Sequence, residues 1–165
     1  MTKIAGRAKL LAKLKALPGE ARSRIKQAIA EGADELVAMQ KRLAPVEDGD
    51  LRDSIVQSWG TSAPKYAALK AGASTEGDPD LSVTISAGNT KVRYAHLVEF
   101  GAKAHTITSK TGKRLGPRGQ YGLVVNHPGA TAKPFFYPSY RALKKRIKGR
   151  ISRATRLAAK KVAGQ

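Results

Sequence analysis

The sequence predicts an α+β domain in which a small, mostly antiparallel sheet is flanked by two long helices, one N-terminal and one C-terminal. Apolar residues recur at intervals of three and four near both ends of the chain, short strand-like segments occupy the middle, and proline and glycine separate these segments. The 165 residues suit a single domain. Hydrophobic residues make up 41% of the chain and aromatic residues only 5%, so we expect a mainly aliphatic core.

The N-terminal part of the chain predicts two helices. Residues 2–16 can form a short helix that ends before Pro18. Residues 19–44 predict a long helix, which Pro45 ends because proline disfavours helical geometry in the residue before it. The mostly apolar stripe of this helix consists of Ile25, Ile29, Ala33, Leu36, Gln40 and Leu43.

The middle of the chain predicts shorter elements. Asp50 can cap a short helix over residues 51–57, and residues 92–100 predict another helix that ends at Gly101. Composition and alternation predict four strands, at 66–73, 81–87, 105–108 and 121–126. The polar residues 74–80 predict a hairpin connection between the first two strands.

The C-terminal part of the chain predicts a loop, a strand and the second long helix. Residues 109–120 (SKTGKRLGPRGQ) contain three glycines, one proline and four basic residues, which favours a loop that becomes ordered on assembly. Pro134 suits the first turn of the last helix. The apolar stripe of that helix covers 27 residues and consists of Phe136, Tyr140, Leu143, Ile147, Ile151, Ala154, Ala158 and Val162.

The chain is strongly basic, and its charge is concentrated at both ends. Thirty-one basic residues against twelve acidic ones give a net charge of +19, of which residues 1–26 carry +7 and residues 133–165 carry +11. This excess favours contact with DNA or with an acidic protein surface, although charged helix faces are also often simply solvated. The candidate contacts to DNA or an acidic partner are Lys110, Lys113, Arg114, Arg118, Lys144, Lys145, Arg146, Lys148 and Arg150.

The residues give no positive sign of an enzyme. The absence of cysteine excludes a disulfide framework, a cysteine-ligated zinc site and thiol catalysis. His96, His105 and His127 lack metal-ligand spacing, and no motif ties a nucleophile or second carboxylate to His96 and Glu99. Residues 111–114 (TGKR) lack the flanking residues of a phosphate-binding loop. We expect no catalysis, no cofactor and no metal, and the apolar segments are too short to span a membrane.

Four motifs occur in a fixed order along the chain. They are 44–55 (APVEDGDLRDSI), 94–101 (YAHLVEFG), 127–129 (HPG) and 132–136 (AKPFF). Each motif alone is weak, but the ordered set resembles the tail-component family typified by gene product ten of the siphophage Hong Kong ninety-seven. The similarity covers residues 20–145, which is most of the chain.

The resemblance implies an α+β structural virion protein that forms a ring in the head–tail neck and helps to join the tail to the DNA-filled head. The implied partners are copies of the chain in a ring, with a hexamer favoured over a dodecamer, neighbouring head-completion and tail proteins, and DNA in the channel, without membrane contact. The implied location is the head–tail junction of the virion, and the host cytoplasm during assembly. A tail terminator subunit, a free basic nucleic-acid-binding protein and a small nuclease are the alternatives.

The resemblance also suggests a domain organisation and a set of contact residues. The domain is expected at residues 19–145, and the basic extension at 1–18 and the basic helical tail at 146–165 are additions in which this chain departs from the family. Residues 135–137 are three successive aromatics, and a helix cannot turn all three towards its own core, so one could face a neighbouring subunit unless they bracket the helix start. The candidate subunit or partner contacts are Arg52, Tyr94, Glu99, Phe100, Pro134, Phe135 and Phe136.

Overall fold

The computed structural model describes residues 18–72 and 78–162, so the predicted helix at 2–16 and most of the 74–80 connection lie outside the described residues. Within them the chain has the predicted α+β fold, with a long helix towards each end. The helices are α1 (Gly19–Leu43), α2 (Asp50–Asp53), α3 (Ala95–Phe100) and α4 (Phe136–Val162). The strands are β1 (Val56–Trp59), β2 (Leu69–Gly72), β3 (Val83–Ala87), β4 (His105–Thr108) and β5 (Val124–His127).

Helix α1 confirms the first predicted long helix. It ends at Leu43, and Ala44 is already extended because Pro45 follows it. Four residues of the predicted stripe are buried, namely Ile25, Ala33, Leu36 and Gln40. Leu43, the last residue of the stripe, is 45% exposed, so the buried part of the stripe stops one turn before the helix does.

Strands β1, β3 and β2 form a three-stranded antiparallel sheet in that order. The first two residues of strand β1, Val56 and Gln57, were predicted to end a helix over 51–57. That helix, α2, ends at Asp53, and from Val56 the chain pairs with β3, Val56 lying opposite Ser86. Pairing with a strand distant in sequence supplies the backbone hydrogen bonds here, and it overrides the local helical pattern.

Three of the predicted strands begin later than expected. Tyr66 has a φ of 66°, a left-handed conformation that does not fit a strand, and β2 starts at Leu69. Leu81 closes a 3-10 turn, so β3 starts at Val83. Strand β5 starts at Val124, three residues after the predicted start.

Strands β4 and β5 form a second, two-stranded antiparallel sheet. Its register places His105 opposite His127 at one end and Thr108 opposite Val124 at the other. A further bridge between Ala102 and Ala130 continues the pairing towards the body of the subunit. We call residues 105–127 the arm, because they leave the body of the subunit and return to it as a single hairpin.

Helix α4 matches the predicted 27-residue helix and packs along α1. The main core joins both helices to the three-stranded sheet through Leu36, Leu51, Ile55, Leu69, Ile85, Val92, Phe135 and Phe136. A smaller cluster joins Ala21 and Ile25 to Ala158 near the C-terminal end of α4. Gly32 allows the helices to approach closely, since a Cβ there would lie 2.8 Å from Cγ2 of Ile147.

Ion pairs hold the same two helices together. The guanidinium groups of Arg146 and Arg150 lie 3.1 and 3.0 Å from the carboxylate of Glu35. At the other end of α1, Lys161 bonds Glu20 and holds the pKa of that carboxyl below its ordinary value. In each pair the base lies on α4 and the acid on α1. No helix in the described part of the chain is long and apolar enough to cross a membrane.

Candidate interaction surfaces

Glu99 lies inside the subunit and caps helix α4. Its side chain is almost completely buried, and one carboxylate oxygen accepts the backbone N–H groups of Phe135 and Phe136, both at 2.8 Å. The other oxygen accepts the N–H of Tyr137 at 2.9 Å. The first N–H groups of a helix have no partner within the helix, and a negative charge suits that end. Glu99 therefore fixes α3 to the start of α4.

Phe135 and Phe136 are both fully buried, with 0% of their surface exposed. Their rings meet edge to face, with centroids 6.3 Å apart. Phe135 precedes the first helical residue, so its side chain does not follow the 100° spacing of a helix and both rings can enter the core. The expectation that Glu99, Phe135 and Phe136 contact a partner is corrected: their positions give them a structural role within the subunit.

The other four predicted contact residues are exposed. Tyr94 and Phe100 lie at the two ends of α3, with 44% and 65% of their surface exposed, and Pro134 is exposed before α4. Arg52 is exposed and pairs with its neighbour Asp53 at 3.2 Å. These four residues remain available for a partner.

Helix α3 has an inward and an outward side. Ala95 and Glu99, four residues apart, are buried on the inward side. Tyr94, Leu97 and Phe100 follow each other at intervals of three and are all exposed, so they lie along the opposite, outward side. This outward side of α3 is an apolar strip on the surface of the subunit.

The turn after α1 carries an acidic surface that the sequence patterns did not single out. Residues Glu47, Asp48 and Asp50 are exposed and have no ion pair within the described residues. Partial burial raises the pKa of Tyr94, and the charges of Asp50, Asp48 and Glu47 raise it further. Leu51, which follows the turn, and Ala95 of α3 belong to the same buried core cluster. The sequence does contain an indication of this surface, because three acidic residues lie within four positions in a chain whose net charge is +19. We call residues 46–50 the acidic turn.

The arm makes few contacts with the rest of the subunit. All side chains of β4 are exposed, and of β5 only Val125 is half-buried. Among the described residues, the hydrogen bonds of the arm all have their partners within residues 103–129. One face of the hairpin carries Ile107, Leu123, Val125 and the stacked rings of His105 and His127.

The loop of the arm carries the four basic residues predicted to contact DNA or an acidic partner. Lys110, Lys113, Arg114 and Arg118 are all exposed, and they share the arm with exposed Tyr121. Arg114 donates from Nε to the carbonyl of Tyr121 at 3.1 Å, so this residue also holds the loop together. The arm thus combines an apolar face with a basic end.

The five predicted contacts on α4 fall into two groups. Arg146 and Arg150 are used in ion pairs with α1. The second group consists of the exposed lysines Lys144, Lys145 and Lys148, which have no ion pair in the described part of the chain. The ammonium nitrogen of Lys144 lies 5.6 Å from the centroid of the Tyr140 ring. Arg141 and Arg156, which the sequence patterns did not indicate, are also exposed and continue the helical spacing of Lys145 and Lys148. These residues form a basic stripe on α4, made of Arg141, Lys145, Lys148 and Arg156.

No group of three or more metal-ligating side chains occurs among the residues that the structure describes. A cavity of about 420 Å³ opens between α1, α4 and β3. Its lining is mainly aliphatic, with Ile29, Leu36, Val83, Ile147 and Ile151, and includes neither acidic residues nor histidines. Tyr140, Lys144 and Lys148 also line the cavity.

Comparison with known proteins identifies the family. A family model described as "Bacteriophage HK97-gp10, putative tail-component" matches residues 8–101, which is more than half of the chain. The match includes the motifs at 44–55 and 94–101, and it ends before the arm and α4. No curated protein and no solved structure matches the chain. A phage tail component is located in the virion, where it contacts other virion proteins. The chain belongs to the bacteriophage HK97-gp10-like tail-component family.

Proposed function

We propose that the protein is a structural, non-catalytic subunit that forms a ring at the head–tail junction of a phage particle and joins the tail to the head. Six copies are the first expectation and twelve the second. The observation that carries the proposal is the arm, whose two strands are almost entirely exposed. A two-stranded hairpin alone is at best marginally stable in water, so a surface outside its own subunit is needed to support it.

A closed ring requires two different surfaces on each subunit, because one patch of a subunit meets another patch of the next. The arm and the outward side of α3 are two such surfaces, and both expose apolar side chains. A second copy, or a neighbouring ring of the virion, can bury them. A tail terminator at the upper end of the tail would use the same surfaces, and an image of the particle would distinguish these layers.

The net charge supports DNA as an additional partner of the ring. Subunits of charge +19 repel each other at contact distances, since charges are screened over only about 8 Å at physiological salt. The basic stripe on α4 has no acidic partner in the described part of the chain. DNA in the channel or an acidic neighbouring ring would offset this repulsion.

Hydrogen exchange tests the assembly role of the arm. In the free protein we expect the amides of residues 105–127 to exchange rapidly, because local opening of an unsupported hairpin costs little free energy. In particles that contain the protein we expect the same amides to exchange at least about 100-fold more slowly. The amides of β1 and β3 serve as the control and should be protected in both samples. Strong and equal protection of the arm in both states would contradict the proposal.

Titration with duplex DNA at several salt concentrations tests the basic stripe. Replacing Lys145 and Lys148 with alanine should weaken binding for all sequences. The slope of log affinity against log salt should become shallower by about 0.9 for each phosphate that the variant no longer neutralises. The matched control replaces Lys70 and Lys91, which are exposed on other elements, and should leave binding almost unchanged. The absence of any binding by the wild-type protein at low salt would exclude DNA as a partner of this surface.

A further inference from the structure

The acidic turn is the one surface where the described subunit leaves several carboxylates unpaired. The other described acidic side chains each bond a partner within the subunit, namely Glu20, Glu31, Asp34, Glu35, Asp53, Asp78, Asp80 and Glu99. The remaining described acids, Glu47, Asp48 and Asp50, have no side-chain partner within the described residues. In a subunit of charge +19, this grouping of free carboxylates offers a binding surface for a basic segment.

Apolar side chains are exposed both on the acidic turn and on the outward side of α3. Val46 in the turn is 63% exposed, and Tyr94 and Leu97 are 44% and 42% exposed. Exposed apolar groups next to unpaired charges are typical of a protein interface, in which the apolar groups supply most of the affinity and the charges select the partner.

The arm has the complementary composition. Its face with Ile107 and Leu123 is apolar, and its loop carries Lys110, Lys113 and Arg118 at the exposed end. Within the described subunit the hydrogen bonds of the arm are all local, and no ion pair joins its loop to the acidic turn. Among the described residues, the arm and the acidic turn are therefore not paired with each other.

From these contacts and charges we infer that the arm of one copy docks on the acidic turn and α3 of the next copy. The inference rests on the proposed ring and names its contact: Lys113 and Arg118 face Glu47 and Asp48 of the neighbour, while the apolar face of the arm covers Tyr94 and the exposed residues beside it. The contact is heterologous, so every copy uses one arm and one acidic turn, and repetition of the same contact closes a ring when the rotation between neighbours divides a full turn evenly.

Reversing the charges on each surface in turn tests the contact. One variant carries Lys113→Glu and Arg118→Glu, and the other carries Glu47→Lys and Asp48→Lys; Arg114 is left unchanged because it holds the loop. Self-association of each is measured by sedimentation and native mass spectrometry, at concentrations where the wild-type protein forms oligomers. Each variant alone should associate at least about tenfold more weakly, because charges of the same sign then face each other.

An equimolar mixture of the two variants should recover oligomers in which the variants alternate, since each contact between the two different variants pairs opposite charges or restores the original pair. This recovery cannot come from a folding defect, which mixing would not correct. The control variant Lys70→Glu with Lys91→Glu changes the net charge by the same amount as the arm variant and should associate like the wild-type protein.

The other outcomes overturn the inference in distinguishable ways. Unchanged self-association of both variants, or failure of the mixture to recover it, would exclude this contact and leave the proposed ring intact. If the arm variant loses duplex DNA binding but keeps self-association, the partner that binds the arm is DNA and not a second copy. If the wild-type protein forms no oligomer in solution or on particles, the ring itself fails, and the inference fails with it.

Discussion

Replacement of Phe136 with alanine is expected to lower the free energy of unfolding by about 3–5 kcal/mol. The ring is fully buried in the main core, in edge-to-face contact with Phe135 and with Tyr137 at 5.3 Å between centroids. Truncation removes this apolar surface and leaves a cavity in a place where α3, α4 and the sheet meet. For a domain of this size the midpoint of thermal unfolding should fall by roughly 10 °C. Urea denaturation followed by circular dichroism measures the change.

Phe100→Ala is the matched control for that experiment. Phe100 is an aromatic of the same type, but it is mostly exposed and touches only the ring of Tyr137 among the aromatic residues described. Its loss should cost no more than about 1 kcal/mol of subunit stability. We expect the variant to fold normally and to associate more weakly with its partners. Equal destabilisation by the two substitutions would mean that burial does not separate the structural aromatics from the surface ones.

The long helices could be predicted from the sequence because their periodicity is local. The apolar stripe of α1 runs from Ile25 to Leu43 and that of α4 covers 27 residues, both at intervals of three and four, and patterns of this length are typical of amphipathic helices. Strand β1 could not be predicted in the same way. Leu51 and Ile55 have helical spacing, and only the pairing of Val56 with Ser86 on the distant strand β3 makes the next residues a strand.

The surface residues were predicted less well, because their roles depend on which element lies opposite. Arg146 and Lys145 are adjacent in sequence and both carry a positive charge. Arg146 pairs with Glu35 of α1, while Lys145 is exposed without an ion pair among the described residues. Likewise, Glu99 and Phe100 differ by one position, yet Glu99 is buried and bonds the N–H groups at the start of α4, while Phe100 is mostly exposed. The role of such a residue can be assigned only when it is known how the two elements pack against each other. A local sequence pattern does not contain that information.

Glu99→Ala is the second substitution with a large expected effect, a loss of about 3 kcal/mol or more in the free energy of unfolding. Alanine leaves three N–H groups at the start of α4 without an acceptor, and it removes the negative charge from the positive end of a 27-residue helix. Glu99→Gln keeps one acceptor oxygen but brings a donor NH₂ against the same N–H groups. It should therefore be intermediate between the wild type and the alanine variant.

The control for Glu99 is Glu47→Ala, which removes an exposed carboxylate with no partner in the described subunit and should change stability by no more than about 0.5 kcal/mol. The two variants should affect different properties: Glu99→Ala the stability of the subunit, and Glu47→Ala its self-association. Glu99→Ala should lower stability and loosen α3, which carries Tyr94 and Phe100 on its outward side. Glu47→Ala should keep stability and weaken self-association alone. A stable Glu99→Ala protein with normal amide protection at the start of α4 would show that the helix does not depend on this carboxylate.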